Sequence, residues 1–169
     1  ELKLELGKHI YTLHTSHALR EFDTPHFITQ LIMEKIVNEK FNKYKQITIL
    51  NPNQGIIPVA VAHFYSRDKI VLASRDLLQL KISSENLKLN AIKYSEEINS
   101  DIPQNKGDLL IWSLHEENHK EVLEKLEIYK KNFKKIILGG RIQVINRITT
   151  SLKIEPKKEI RGKYCVVEL

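Results

Sequence analysis

The chain has 169 residues, 41% of them hydrophobic and 28% charged, with a formal net charge of +6. That length and composition suit one soluble globular domain with a sizeable buried core. No apolar run approaches the ~20 residues of a membrane span, and Cys165 is the single cysteine, which excludes an internal disulfide.

With one cysteine and no signal-peptide pattern, the expected location is cytoplasmic. The chain opens on Glu1 rather than Met, so an additional N-terminal domain or a protein partner is expected upstream. Charge is unevenly spread: Lys125–Lys163 holds twelve Lys/Arg against three Glu, a net of +9 that leaves −3 elsewhere. A phosphate-contacting RNA surface has this asymmetry, and so does a solvent face rich in lysine.

Leu2–Leu6 alternates apolar and polar residues as a half-buried strand does, and His9–Thr15 reads as a second strand. Residues 1–22 are thus a leading strand segment before an α/β core at 23–169. Asp23-Thr24-Pro25 marks a helix start. Phe27, Leu31, Met33, Ile36, Val37 and Phe41 recur at helical spacing, with Glu34, Lys35, Asn38 and Glu39 outward and an end near Asn42. Ile47–Leu50 is a short buried strand, Asn51–Gly55 a tight loop, and Ile56–Tyr65 an apolar helix.

The next strand is expected at Lys69–Ala73, followed by Asp76 capping a helix, Leu77–Leu89, whose stripe is Leu77, Leu80, Ser84 and Leu87. Ile92 and Tyr94 suggest a short strand, Ser95–Gly107 a loop, Asp108–Trp112 a buried strand with Trp112 in the core, and Glu117–Lys131 a helix. Lys134–Gly140 is a further strand. Arg141–Leu152 suits helix or strand, and Lys153–Pro156 with Lys163–Leu169 reads as a terminal antiparallel pair. Cys165 falls inside that last strand. Repeated strand–helix alternation implies a three-layer α/β/α sandwich on a mostly parallel sheet. Ligands on such sheets sit beyond the carboxyl ends of the strands, near the point where strand order reverses.

His115-Glu-Glu-Asn-His119 matches H-E-x-x-H, but zinc chemistry needs both histidines on one face of an established helix and a third ligand. Here the pattern follows a strand directly, so no metal site is expected. Walker, dinucleotide and nucleophile-elbow glycine patterns do not occur.

Ile47–Pro58 resembles the first motif of class I S-adenosylmethionine (SAM) methyltransferases, a strand, a glycine loop and an apolar helix. Val71–Leu80 with Ser84–Asn90, ending N-x-x-x-N, is similar to the second motif region of the methyltransferase small-domain family. Ser16-His17 and Thr24 resemble its leading segment. Asp108–Glu117 occupies the place of its fourth motif, and Gly140–Arg147 is similar to some members. The resemblance spans about Leu13 to Leu169. The family's first-motif Asp falls on Ile49 and two of its loop glycines on Asn51 and Asn53, with Gly55 kept. Its ribose-binding acid falls on Ser74, with Asp76 two residues on. Its fourth-motif Asn and Pro fall on Ser113 and His115.

The resemblance implies a Rossmann-like class I methyltransferase fold with an antiparallel C-terminal strand. It also implies a SAM-dependent methyltransferase acting on RNA, commonly at a guanine exocyclic amine of ribosomal RNA. In that reading Asn51, Asn53, Gly55, Ser74 and Asp76 approach the cofactor, and Ser113 and His115 meet the target amine. The degenerate motifs imply the alternative as well: a domain that has lost the cofactor and binds RNA, through Lys125–Lys163, or a protein.

Overall fold

The computed structural model describes residues 1–38, 44–65, 70–98, 106–115 and 117–169. Two leading strands, β1 (Leu2–Leu6) and β2 (His9–Leu13), pair antiparallel as a separate ribbon. The main sheet holds β3 (Ile47–Leu50), β4 (Ile70–Ser74), β5 (Tyr94–Ile98), β6 (Gly107–Ser113), β7 (Phe133–Arg141), β8 (Lys158–Arg161) and β9 (Tyr164–Glu168). Their order is β5-β4-β3-β6-β7-β9-β8; the first five are parallel and β9 is antiparallel to both neighbours. Consecutive strands step outward from β3 to β4 and β5, then jump back to β6 on its other side. Strand order therefore reverses between β3 and β6, and their carboxyl-end loops flank a crevice.

The helices α1 (Phe27–Asn38), α2 (Ile56–Phe64), α3 (Leu77–Leu89), α4 (His119–Asn132) and α5 (Ile142–Ser151) cover both faces. Alternation along the strands divides the core. Ile49, Leu72, Leu109, Ile111 and Ile137 join Ile28, Ile32 and Val59 on the α1–α2–α3 side. Leu50, Leu110, Trp112 and Leu138 join Leu126, Tyr129 and Ile145 on the α4–α5 side. The three-layer α/β/α architecture expected from the sequence is present. Trp112 is core, edge-on to Tyr129 at 5.3 Å. Cys165 is fully buried in β9, and burial pushes its thiol up to about 11, so it is protonated near neutral pH. Among the described residues no helix is long and apolar enough to cross a membrane.

Several expectations are corrected. Residues 95–98, expected in a loop, form most of β5, because parallel main-chain pairing with β4 holds an edge strand whose Ser95 and Glu96 side chains are exposed. The partner of β9 is Lys158–Arg161 rather than Lys153–Pro156: Gly162, at φ 58, makes a two-residue hairpin turn, and Lys153 ends α5 in a left-handed conformation. The open choice at 141–152 resolves as helix. In α1, Lys35 is buried, while Phe27 and Val37 are 52% and 54% exposed. The stripe rotates because β8 and β9 offer partners for a buried ammonium: Lys35 Nζ lies 3.1 Å from Glu159 and 3.6 Å from Glu168. Leu77 is exposed at the first turn of α3. The expected positions of Phe41, Asn42, Lys69 and most of the 95–107 loop lie outside the described residues.

Close approach of α1 to β7 depends on Gly139. A Cβ there would sit 2.7 Å from Ile28 Cγ2 and 3.0 Å from Ile32 Cδ1. Gly139→Ala is expected to destabilise the protein by about 1–3 kcal/mol through overpacking, read as a lower urea midpoint at unchanged slope. A midpoint within error of the wild type would show that α1 is free to move away.

Candidate functional site

The loop after β3 carries an unusual backbone. Asn51 (φ 56), Asn53 (φ 53) and Gly55 (φ 87) are all left-handed within five residues. Asparagine enters this region more readily than any residue but glycine, so the two substitutions preserve the turn that glycines would make. Each then acquires a side-chain task. Asn51 Nδ2 donates to Glu117 Oε1 at 3.4 Å and its Oδ1 accepts from Ser74 Oγ at 3.2 Å. Asn53 Nδ2 donates to Glu21 Oε2 at 2.8 Å, and its carbonyl accepts from Ser83 Oγ at 2.8 Å.

Beyond the strand ends lies a crevice of about 440 Å³, lined by Ala18, Leu19, Arg20, Asn51, Asn53, Asp76, Gln79, His115 and Glu117. Of the expected site residues it brings together Asn51, Asn53, Asp76 and His115. Gly55 lies outside this lining and makes the turn into α2; a Cβ there would meet the Ser83 backbone at 3.1 Å. Ser74 has no exposed surface; its hydroxyl is spent on Asn51 and accepts from Asp76 N at 3.1 Å. Ser113 is buried, pairs with Gly139 on the α1 face of the sheet, and does not line the crevice. Its hydroxyl finds no hydrogen-bond partner among the described residues.

Asp76 caps α3, accepting from Leu78 N at 2.9 Å. Its second oxygen is reached by Gln79 Nε2 at 3.4 Å, and Gln79 Oε1 accepts from Asn53 N at 3.2 Å. A carboxylate has about four acceptor positions, so capacity remains toward the crevice. On the opposite wall Glu117 Oε2 accepts from His115 N at 2.6 Å. The crevice lining thus combines two carboxylates and one guanidinium with the amides of Asn51, Asn53 and Gln79. Such a set can take hydroxyls and an ammonium on the acids and a carboxylate on Arg20.

The roof is made by residues 14–21, which sequence reasoning did not place here. Gln54, fully buried, donates through Nε2 to Ser16 O (2.8 Å) and Arg20 O (3.0 Å) and accepts from Ser16 N (3.1 Å). Asn86, also fully buried, donates to His14 O and Gln54 O, each at 2.8 Å, and accepts from His14 N at 2.7 Å. Asn90 reaches Thr12 O at 3.1 Å. The N-x-x-x-N signal singled out in the sequence is therefore a strap that ties the leading segment over the loop. Glu21, left-handed at φ 65, closes the roof by accepting from His26 N and Asn53 Nδ2. Burial raises its pKa, against the lowering effect of these donors. Nothing local in the sequence marks Gln54 or Glu21.

His26 sits beside the crevice. Its Nδ1 accepts from Ile28 N at 3.2 Å, capping α1, and its ring is edge-on to His115 at 5.2 Å. Burial and then Arg20, Arg141 and Lys163 lower its pKa, which keeps it neutral and Nδ1 an acceptor. Among the described residues no three His, Cys, Asp or Glu side chains gather as metal ligands would. His115 lies in the loop after β6 and His119 in the first turn of α4, while Glu116 lies outside the described residues.

No family model and no curated protein matches this chain. Solved structures do. The chain is similar to a ribosomal protein methylase of Lactobacillus delbrueckii subsp. bulgaricus, at TM-score 0.71 and 15% identity over 85% of this chain and 78% of that one. It is similar to the T. thermophilus 16S rRNA methyltransferase RsmC, solved with AdoMet and guanosine, at TM-score 0.74 and 12% identity. That match takes in 98% of this chain but 48% of the other, about half its length. M. capricolum TrmK, solved with S-adenosylhomocysteine, matches at TM-score 0.61 and 9% identity over 81% and 66%. With the strand order, the left-handed loop after β3 and the crevice at the switch point, these likenesses establish that the chain has the class I SAM-dependent methyltransferase fold.

Proposed function

We propose that the chain binds SAM in the crevice at the switch point and serves methyl transfer to RNA. The observation that carries this is the lining of the 440 Å³ space, which combines Asp76 and Glu117 with Arg20, Asn51 and Asn53. That set fits SAM. Asp76 accepts from ribose hydroxyls, substituting for the acid whose place at the end of β4 is taken by Ser74. Glu117 accepts from an ammonium, and Arg20 pairs with a carboxylate. The cofactor supplies an electrophilic methyl group on a sulfonium. The chain's contribution is then largely positioning, since alignment of an amine with that methyl matters more than a strong base. His115, at the crevice wall, orients the incoming group and takes its proton. Ser113, buried beneath the sheet end and outside the lining, is not assigned a part in contacting the amine. RNA as the substrate is supported by the RsmC likeness, whose structure holds guanosine, and by Arg141 and Lys163, the cations of the basic 125–163 segment that lie at the crevice end of the sheet.

A second reading is favoured by one observation: the side chains of Asn51, Asn53 and Ser74 are engaged with protein partners. A loop so occupied suits a domain that keeps the fold and binds RNA without cofactor. Thermal denaturation separates the two. Ligand at a hundredfold over its dissociation constant adds about 2.7 kcal/mol, or about 5–10 °C in Tm for a chain of this size. Such a rise is expected with SAM and with S-adenosylhomocysteine. An unchanged Tm at millimolar concentrations of both would leave the cofactor-free module as the function.

A further inference from the structure

Four rings run outward from the crevice. His115, on its wall, meets His26 edge-on at 5.2 Å; His26 meets Tyr164 at 4.8 Å; and Tyr164 stacks on Phe27 at 6.0 Å with 25° between planes. Phe27 ends the run 52% exposed, an apolar ring facing water at the first residue of α1. The topology explains the gathering. Tyr164 opens β9 opposite Arg141, the last residue of β7, so the hairpin turn and the α1 N-terminus share the carboxyl-end edge of the sheet.

Cations surround these rings. Lys163 Nζ lies 5.8 Å from the Tyr164 ring centre. Arg141 borders a second space of about 250 Å³ with Leu114, His115, Glu117 and Val144, and Arg20 lines the main crevice. Of the carboxylates nearby, Glu117 accepts from Asn51 and His115 N, and Glu21 from His26 N and Asn53. By contrast, Lys130, Lys131, Lys134 and Lys135 sit at the end of α4 and the start of β7, which is the opposite end of the sheet. There Lys134 pairs with Asp108 and Lys135 with Glu168.

We infer that this edge is a docking strip for single-stranded RNA. A base stacks on the Phe27–Tyr164 pair, flanking phosphates lie on Lys163 and Arg141, and the neighbouring nucleotide is directed past His26 into the crevice. Every nucleobase offers a π-face, but in a duplex those faces are covered, so stacking rings select an unpaired strand. The inference deepens the RNA reading above and does not require the cofactor.

The test is fluorescence anisotropy on the full chain without SAM, using a labelled single-stranded RNA of about 16 nucleotides, a length that fills such a site. The same RNA annealed to its complement is the competitor. Single strands are expected to bind at least tenfold more tightly than the duplex, with affinity falling steeply between about 50 and 200 mM salt. Phe27→Ala should weaken binding about 5- to 100-fold, and Tyr164→Ala likewise, while Tyr164→Phe, which keeps the ring and guards against misfolding, should bind as wild type. Arg141→Gln and Lys163→Gln should each lower the salt slope by about one. Lys130→Gln/Lys131→Gln should leave affinity within about twofold, because those lysines face the other end. Unchanged affinity in Phe27→Ala, preference for the duplex, or loss confined to the Lys130/Lys131 variant would overturn the strip; a chain that binds no RNA would overturn it in favour of a protein ligand. A Tm rise with SAM but no RNA binding sinks this inference and the RNA part of the reading above while keeping the cofactor part; RNA binding that ignores the strip variants sinks this inference alone; and RNA binding by the strip with no SAM response sinks only the cofactor reading.

Discussion

Asn86→Ala is expected to lose about 2–4 kcal/mol of folding stability, because three polar groups lose their partner in one substitution. Asn86 has no exposed surface, and its amide joins His14 N, His14 O and Gln54 O. Alanine leaves the Gln54 carbonyl, at the base of the crevice loop, with no donor from this side chain, and water has little access to replace it. The leading segment should detach before the sheet unfolds. Limited proteolysis within residues 14–22, at denaturant concentrations where β3–β9 remain folded, reads this directly. Asn86→Asp should be worse near neutral pH, because it keeps the acceptor for His14 N but turns a carboxylate toward two carbonyls. A loss below 1 kcal/mol in Asn86→Ala, with no new cleavage, would show that the roof is held by other contacts.

Asn53→Val is expected to cost about 3–5 kcal/mol and to abolish the proposed SAM binding with it. A β-branched residue at φ 53 is strongly disfavoured, and the left-handed penalty of about 1–2 kcal/mol for ordinary side chains is a lower bound there. Loss of the hydrogen bond to the Glu21 carboxylate adds about 1.5–3 kcal/mol. Asn53→Gly separates the two effects: it relieves the backbone and should show only the second loss. Asn53→Asp adds a pH dependence whose sign follows from Glu21. Burial raises the folded pKa of Glu21, so the folded state holds its proton more tightly than the unfolded chain does. Stability from this carboxyl is therefore greatest below its ordinary range and falls as pH rises through the folded value. A second carboxylate against it should steepen that fall. Denaturation midpoints across pH 4–8 check it, and a midpoint in Asn53→Asp that does not drop more steeply than in the wild type would contradict the Asn53–Glu21 contact.

The layer order was legible before any coordinates because burial on both faces imposes continuous apolar runs, as in Ile47–Leu50 and Leu109–Trp112, separated by amphipathic helices. The loop was legible for a related reason. Two asparagines and a glycine within five residues are the side chains that tolerate a left-handed backbone, and all three adopt it. The α1 stripe was misread because Lys35 looks solvent-facing until Glu159 and Glu168, more than 120 residues away, are seen beside it. Polar β5 was misread because an edge strand needs main-chain partners more than apolar side chains.

The sequence by itself determined the alternation of strands and helices as far as β7 and the position of the switch-point loop, and it singled out Asn51, Asn53, Asp76 and His115, which line the crevice. Tertiary structure alone decided that Ser74 and Ser113 are buried away from the crevice, that Gln54, Asn86 and Glu21 hold its roof of residues 14–21 in place, and that Phe27, Tyr164, Arg141 and Lys163 share one edge. The physical reason is range. Periodicity and backbone preference act within a few residues and leave a mark in composition. A buried amide or carboxylate is defined by partners that the fold brings from 30 to 130 positions away, and no local pattern records them.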